Sequence, residues 1–131
     1  MSKPLPWLLA LYGLTSLVHF MHNAEYLSVY PNLPAWLSRS QIYGVWCGIT
    51  MLGLAGYTLY RRGRAFSGLS LLVVYTLLGF DGLVHYQRAP FAAHSAAMNL
   101  TIWSEVAAAA LAFIAVVTVA QRAVFQRITT T

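Results

Sequence analysis

The sequence contains very few charged residues and almost no acidic ones. Only 8% of its 131 residues are Asp, Glu, Lys or Arg, and just three are acidic. With 59% hydrophobic residues and a mean hydropathy of +0.62, the chain is too apolar for a soluble domain of this size. The composition therefore predicts a small integral membrane protein.

Cysteine is also nearly absent. Cys47 is the only one, which excludes an internal disulfide and any CxxC metal motif. The three acidic residues are too few to supply the carboxylates of a full di-iron site. The sequence also lacks a nucleotide-binding loop and a low-complexity linker.

Four long apolar segments fill most of the chain. Each can cross about 30 Å of hydrocarbon at a rise of about 1.5 Å per residue. Their apolar runs are continuous, which favours helices over barrel strands, because barrel strands alternate every second residue. We therefore predict an all-α membrane protein, a four-transmembrane-helix bundle forming a single domain over residues 1–131, with spans at about 6–29, 41–60, 66–86 and 91–120.

Basic residues fall mainly on one side of this predicted bundle. On that side are Lys3, Arg61, Arg62, Arg64, Arg122 and Arg127, whereas Arg39 and Arg88 fall on the other. The positive-inside rule then makes both termini cytoplasmic. The expected location is the inner (plasma) membrane of a bacterium. The net charge of +5 is attributed to this topology, and we expect no nucleic-acid partner.

All histidines and acidic residues fall inside the predicted spans or at their outer edge. They are His19, His22 and Glu25 in the first span, Asp81 and His85 in the third, and His94 and Glu105 in the fourth. Ionisable groups are costly inside a membrane and usually face the bundle interior, where they have partners. Helical spacing places each set on one face, so the sequence predicts a polar site in the outer leaflet.

Imidazole and carboxylate groups are typical ligands of transition metals. The candidate ligands of a Zn²⁺ or iron ion are His19, His22, His85 and His94. The candidate catalytic groups, which could also orient the ligands, are Glu25, Asp81 and Glu105. Membrane-embedded chemistry at a bound metal is the leading hypothesis.

The residue pattern leaves four alternatives open. A b-type haem would need two axial histidines, such as His19 or His22 opposite His85. The same polar groups could relay protons or ions without a metal. They could also form a metal-free, isomerase-like enzyme that acts on a sterol or isoprenoid entering from the membrane. Finally, the polar network could serve only to fasten the helices together.

The second predicted span contains the sequence GVWCG from Gly44 to Gly48. Small residues allow helices to approach closely, so this face is a candidate contact for a homo-oligomer. The other expected partners are membrane lipid and a lipophilic small molecule. Cys47 is a minor candidate as a soft ligand for copper.

The segment HNAEY followed by YPNLPAWL resembles the HXXEE-type membrane proteins. These small bacterial multi-helix proteins are named for a His-x-x-Glu-Glu motif near the end of the first span. The resemblance covers residues 19–38, where His22 and Glu25 match the motif and Tyr26 stands in place of the second Glu. The family has no assigned reaction, so the resemblance implies a polar site around His22 and Glu25 without naming its chemistry.

Overall fold

Five α-helices and three short 3-10 turns make up the part of the chain that the structure describes. This computed structural model describes residues 4–129, with side chains described through residue 125 in the last helix. The helices are α1 (Leu5–Glu25), α2 (Arg39–Arg61), α3 (Ala65–Leu78), α4 (Val84–Arg88) and α5 (Ala96–Thr129). Helix accounts for 84% of the residues, and no strand occurs in the described range, which confirms the predicted all-α class. Lys3 and the Arg127 side chain, both used in the orientation argument, lie outside the described residues.

Three helical segments are long and apolar enough to cross a membrane. They are Arg39–Arg61, Ala65–Arg88 and Ala96–Phe125. Their presence indicates a membrane protein. The 21-residue helix α1 is not among them, because His19, His22 and Asn23 lower the hydropathy of its second half.

The third apolar segment is interrupted where the sequence predicted one continuous helix. Helix α3 ends at Leu78, a 3-10 turn covers Asp81–Leu83, and α4 follows at once. A Cβ atom on Gly79 would lie 2.5 Å from atoms of both Tyr12 and Ala109. The glycine at the break therefore allows the backbone to pack directly against α1 and α5.

The long helices form a closed ring of neighbours around an apolar core. Helix α1 packs on α2 and α5, and α3 packs on the same two helices. Across the centre, the rings of Tyr12 and Tyr75 lie 4.6 Å apart between their centroids. The small side chains of Ala109 and Ala112, both fully buried, let α5 approach its neighbours closely.

The last helix begins a few residues after the predicted span start at about residue 91. Phe91–Ala93 forms a 3-10 turn, His94 follows in an extended conformation, and α5 begins at Ala96. The Ser95 hydroxyl accepts a hydrogen bond of 3.2 Å from the Met98 amide, which is the typical geometry of a helix N-cap. His94 therefore belongs to the connection before α5. Helix α5 also extends past the predicted end at residue 120.

Substitution of Gly79 by Ala should destabilise the bundle. The backbone of Gly79 is right-handed helical, so the only penalty is the clash of the new methyl group with Tyr12 and Ala109. Overpacking of this kind typically costs about 1–3 kcal/mol. Gly48→Ala is the matched control, because nothing lies within 4 Å of a Cβ atom there. Denaturant unfolding followed by circular dichroism should show a loss for Gly79→Ala only, and equal stability of the two variants would contradict the close packing.

Candidate functional site

One face of α1 is lined with polar side chains at helical spacing. Tyr12, Ser16 and His19 are buried along this face, and Asn23 follows one turn later. Steps of three or four residues keep these side chains on one side of a helix. Since α1 packs on α5, this face meets the polar residues of α5.

His19 lies at the contact between α1 and α5 with only 2% of its surface exposed. Its Nδ1 atom is 3.4 Å from Oγ1 of Thr101, and the Thr101 hydroxyl donates to the Met98 carbonyl. The threonine oxygen is therefore free to accept, and His19 Nδ1–H is the donor. This hydrogen bond places the proton of the neutral ring on Nδ1.

The Asn23 amide joins two imidazole rings from different helices. Its Nδ2 atom lies 3.1 Å from Nε2 of His19 and 3.1 Å from Nε2 of His85. The two rings are nearly perpendicular, with centroids 5.5 Å apart. In this amide orientation the NH₂ group donates to both Nε2 atoms, so both rings carry their proton on Nδ1. The contact of His19 with Thr101 requires the same tautomer.

Glu105 lies behind His19 with none of its surface exposed. Its Oε2 atom is 3.7 Å from His19 Nε2, and neither carboxyl oxygen has a hydrogen-bond partner among the described residues. Lone pairs would face each other across this contact unless one of the two groups held a proton. Burial also disfavours an unpaired charge. The contact between the two groups is therefore electrostatic, and at 3.7 Å it is too long to be a hydrogen bond.

Gly82, in the break of the third segment, lies beside the same contact. A Cβ atom there would be 3.6 Å from Glu105 Oε2 and 3.8 Å from His19 Nε2. The glycine thus brings the backbone of the third segment close to both polar groups.

A pocket of about 290 Å³ opens next to the two histidines. Its polar lining consists of His19, Asn23, Asp81, His85 and Arg88. The rest of the lining is apolar and comes from α1, the loop before α2, α2 itself and α4. A mostly apolar cavity with a few polar groups is the usual form of a small-molecule site, and its size is at the lower end of the common range of about 300–1,000 Å³.

The loop between α1 and α2 lines part of this pocket. Asn32 has a positive φ of 56°, which Asn tolerates, and its Nδ2 donates to the Arg88 carbonyl at 2.9 Å. Tyr30 packs its ring 5.0 Å from that of His85. Burial raises the pKa of Tyr30 to about 12, so its hydroxyl stays protonated. This hydroxyl forms a hydrogen bond of 2.8 Å with Nδ1 of His22, and the tautomer of His22 sets its direction.

Two predicted histidine ligands lie away from the pocket. His22 stacks on Tyr26, with centroids 4.7 Å apart, and reaches the rest of the site only through Tyr30. The Nδ1 atom of His94 lies 3.1 Å from the carbonyl of Pro90 and supports the turn before α5. The ring of His94 is 6.0 Å from that of His85, but His94 does not line the pocket.

The three predicted catalytic carboxyl groups lie in three different surroundings. Asp81 lines the pocket, and Glu105 is buried behind it. Glu25 is partly exposed and pairs with Arg39, 2.6 Å from Nη2, while it accepts a hydrogen bond of 2.8 Å from the Tyr43 hydroxyl. These contacts join the end of α1 to the start of α2. Glu25 thus lies outside the pocket and connects these two helices.

The donor geometry gives little support to a bound metal. Among the described residues, no group of three or more His, Cys, Asp or Glu side chains is arranged to hold a metal ion. The Nε2 atoms of His19 and His85 both accept from Asn23. A zinc ion, an iron ion or a haem at this place would require the Asn23 amide to leave. The described residues therefore form no preorganised site for the predicted zinc, iron or haem.

Sequence analysis did not select Asn23 or Tyr30. Asn23 lies four residues after His19, so its position on the same face of α1 was visible in the sequence. The pattern of histidines and acidic residues did not include it, because an amide does not titrate. Nothing in the sequence near Tyr30 indicated its contacts with His22 and His85.

Protein-family models, curated proteins and solved structures contain no match to this chain. The fold and the site are therefore interpreted from the chain's own residues.

Proposed function

We propose that this protein contains an acid–base site that is embedded in the membrane and binds a lipophilic molecule. In this proposal the molecule enters the pocket from the membrane and exchanges protons with side chains of the pocket. No metal takes part. The observation that carries the proposal is the Asn23 bridge between His19 and His85 at the polar wall of an otherwise apolar pocket.

Lateral entry from the lipid is supported by the exposure of the pocket walls. Trp36, Val45 and Val84 all line the pocket and are 72%, 53% and 39% exposed. Val45 belongs to α2 and Val84 to α4, so the mouth lies between two segments that are apolar enough to span the membrane. A lipophilic molecule would reach the histidines without crossing water.

The chemical roles follow from the positions of the side chains. Asp81 lines the pocket and is suited to take a proton from the bound molecule and to return it, while His85, also on the lining, can donate a hydrogen bond from Nδ1–H to an oxygen of that molecule. His19 also lines the pocket and connects it to the carboxyl group of Glu105. Asn23 positions both rings. Removal of a proton from one carbon and its return to another moves a double bond, and such an isomerisation needs no oxidant or reductant.

The same side chains could also relay protons without acting on a bound molecule. A relay needs only a connected line of polar groups, whereas this site adds an apolar pocket large enough for a small molecule. The pocket is therefore the feature that favours an enzyme over a relay.

The membrane topology that fits this site has four spans, with α1 as the first. The polar face of α1 is turned toward α5 and the pocket, so its remaining surface is apolar and can face lipid. Arg61, Arg62 and Arg64 then lie on the cytoplasmic side with both termini, and Arg39 and Arg88 on the outer side. A bacterial inner membrane is the proposed location.

Cysteine labelling tests this topology. In a Cys47→Ala background, a single cysteine at Asn32 should react with an impermeant maleimide added to intact cells. A cysteine at Gly63, in the turn between α2 and α3, should react only after the cells are opened. Protection of the Asn32 position with labelling at Gly63 would reverse the orientation, and equal labelling of both from outside would contradict the spans.

Deuterium exchange tests the acid–base proposal without knowledge of the substrate. The purified protein is incubated in D₂O with a lipid extract of the cells that express it, and small lipids are analysed by mass spectrometry. We expect one lipophilic compound to gain carbon-bound deuterium. Asp81→Asn should slow this uptake by about 10²-fold or more, because it removes the base, and His85→Gln should also slow it, because it removes the hydrogen-bond donor.

His22→Gln is the matched control, since His22 lies outside the pocket. It should exchange at the native rate, and exhaustive chelation of metals should also leave the rate unchanged. Uptake no greater than in heated protein would overturn the proposal. A rate that falls on chelation would instead support a zinc or iron site, which requires deprotonated imidazole ligands.

A further inference from the structure

We infer that the pocket takes an uncharged lipophilic molecule with a single hydroxyl or carbonyl oxygen, a lipophilic alcohol or ketone. This inference rests on the proposed function of the same pocket. It is carried by the charges, the polar atoms and the apolar walls that the pocket presents.

The formal charges on the pocket lining cancel. Among the described lining residues, Asp81 is the only acidic side chain and Arg88 the only Arg or Lys, and the histidines are counted as neutral. Glu25 and Arg39 pair with each other outside the pocket. A phosphorylated lipid is normally held by several Arg or Lys donors, and here it would find one Arg together with a repelling Asp. A cationic head group would meet Arg88, so the lining favours a neutral head group.

Two buried polar atoms on the lining residues lack a hydrogen-bond partner among the described residues. They are Nδ1 of His85 and Oδ1 of Asn23. In the tautomer described above, the first is a donor and the second an acceptor. A hydroxyl group can serve both types of atom, and a carbonyl oxygen can serve the donor. Leaving such groups unpaired costs about 1–3 kcal/mol each, which favours a ligand with an oxygen over a pure hydrocarbon.

The apolar walls indicate the rest of the ligand. Phe20, Trp36, Leu37, Ile42, Val45 and Val84 provide aromatic and branched aliphatic surface. A volume of about 290 Å³ suits one short hydrocarbon body and excludes a complete two-chain phospholipid. The body of the ligand is therefore a small apolar group, such as a short isoprenoid chain.

Four probes with the same tail separate these features. They are farnesol, farnesyl phosphate, farnesylamine and the hydrocarbon farnesene, titrated into the protein in neutral lipid nanodiscs. Quenching of tryptophan fluorescence reports binding, and Trp36→Phe identifies the part of the signal that comes from the pocket. Farnesol should bind at least about 10-fold more tightly than each of the other three.

Substitutions of Asp81 and Arg88 test whether the cancelling charges of the pocket lining determine which head group binds. Asp81→Asn should shift the affinity ratio toward farnesyl phosphate, and Arg88→Gln should shift it toward farnesylamine, each by about 10-fold. His22→Gln, outside the pocket, should leave all ratios unchanged. Tighter binding of the phosphate, the amine or the hydrocarbon than of farnesol in the native protein would overturn the inference, as would ratios insensitive to both charge variants.

The outcomes distinguish this inference from the proposed function. If none of the four probes binds but deuterium exchange on a lipid is seen, the ligand class is wrong and the acid–base proposal stands. If neither binding nor exchange is seen, both are wrong.

Discussion

The hydrogen bonds from the Asn23 amide to two imidazole rings are the interaction on which the rest of the site depends. They connect α1 to α4 and place two Nε2 atoms at one polar wall. In an apolar bundle an unpaired polar group is costly, so each of these side chains must find a partner within the protein. The mutual pairing of His19, Asn23 and His85 meets that requirement and leaves part of each side chain available to the pocket.

The backbone of the third segment makes this pairing possible. A continuous helix would keep α3 and α4 on one axis, whereas the break at Gly79 and Gly82 brings the chain into direct contact with α1 and α5. The tight apolar packing around Tyr12 lies on one side of the break, and the polar groups lie on the other. The molecule thus combines a closely packed core with an open pocket at one end, and the rings that meet the pocket are held by hydrogen bonds.

Much of the fold could be predicted from the sequence because continuous apolar runs leave few alternatives to helices. The position of every histidine and acidic residue inside a predicted span or at its outer edge likewise indicated a polar site. Local geometry was harder to predict. His22 is three residues from His19 and therefore turned to one side, toward Tyr30, whereas Asn23 is four residues away and stays on the same face. His94 was misplaced because the Ser95 cap starts α5 later than the apolar run suggested.

Nitrogen-15 NMR of the four histidine side chains can test the Asn23 bridge, with signals assigned by single His→Gln variants. Near neutral pH the account predicts an Nδ1–H tautomer with an accepting Nε2 atom for both His19 and His85. Asn23→Ala should shift the Nε2 signals of these two residues together and leave His22 unchanged. An Nε2–H tautomer in both rings, or signals of His19 and His85 that do not respond to Asn23→Ala, would contradict the account.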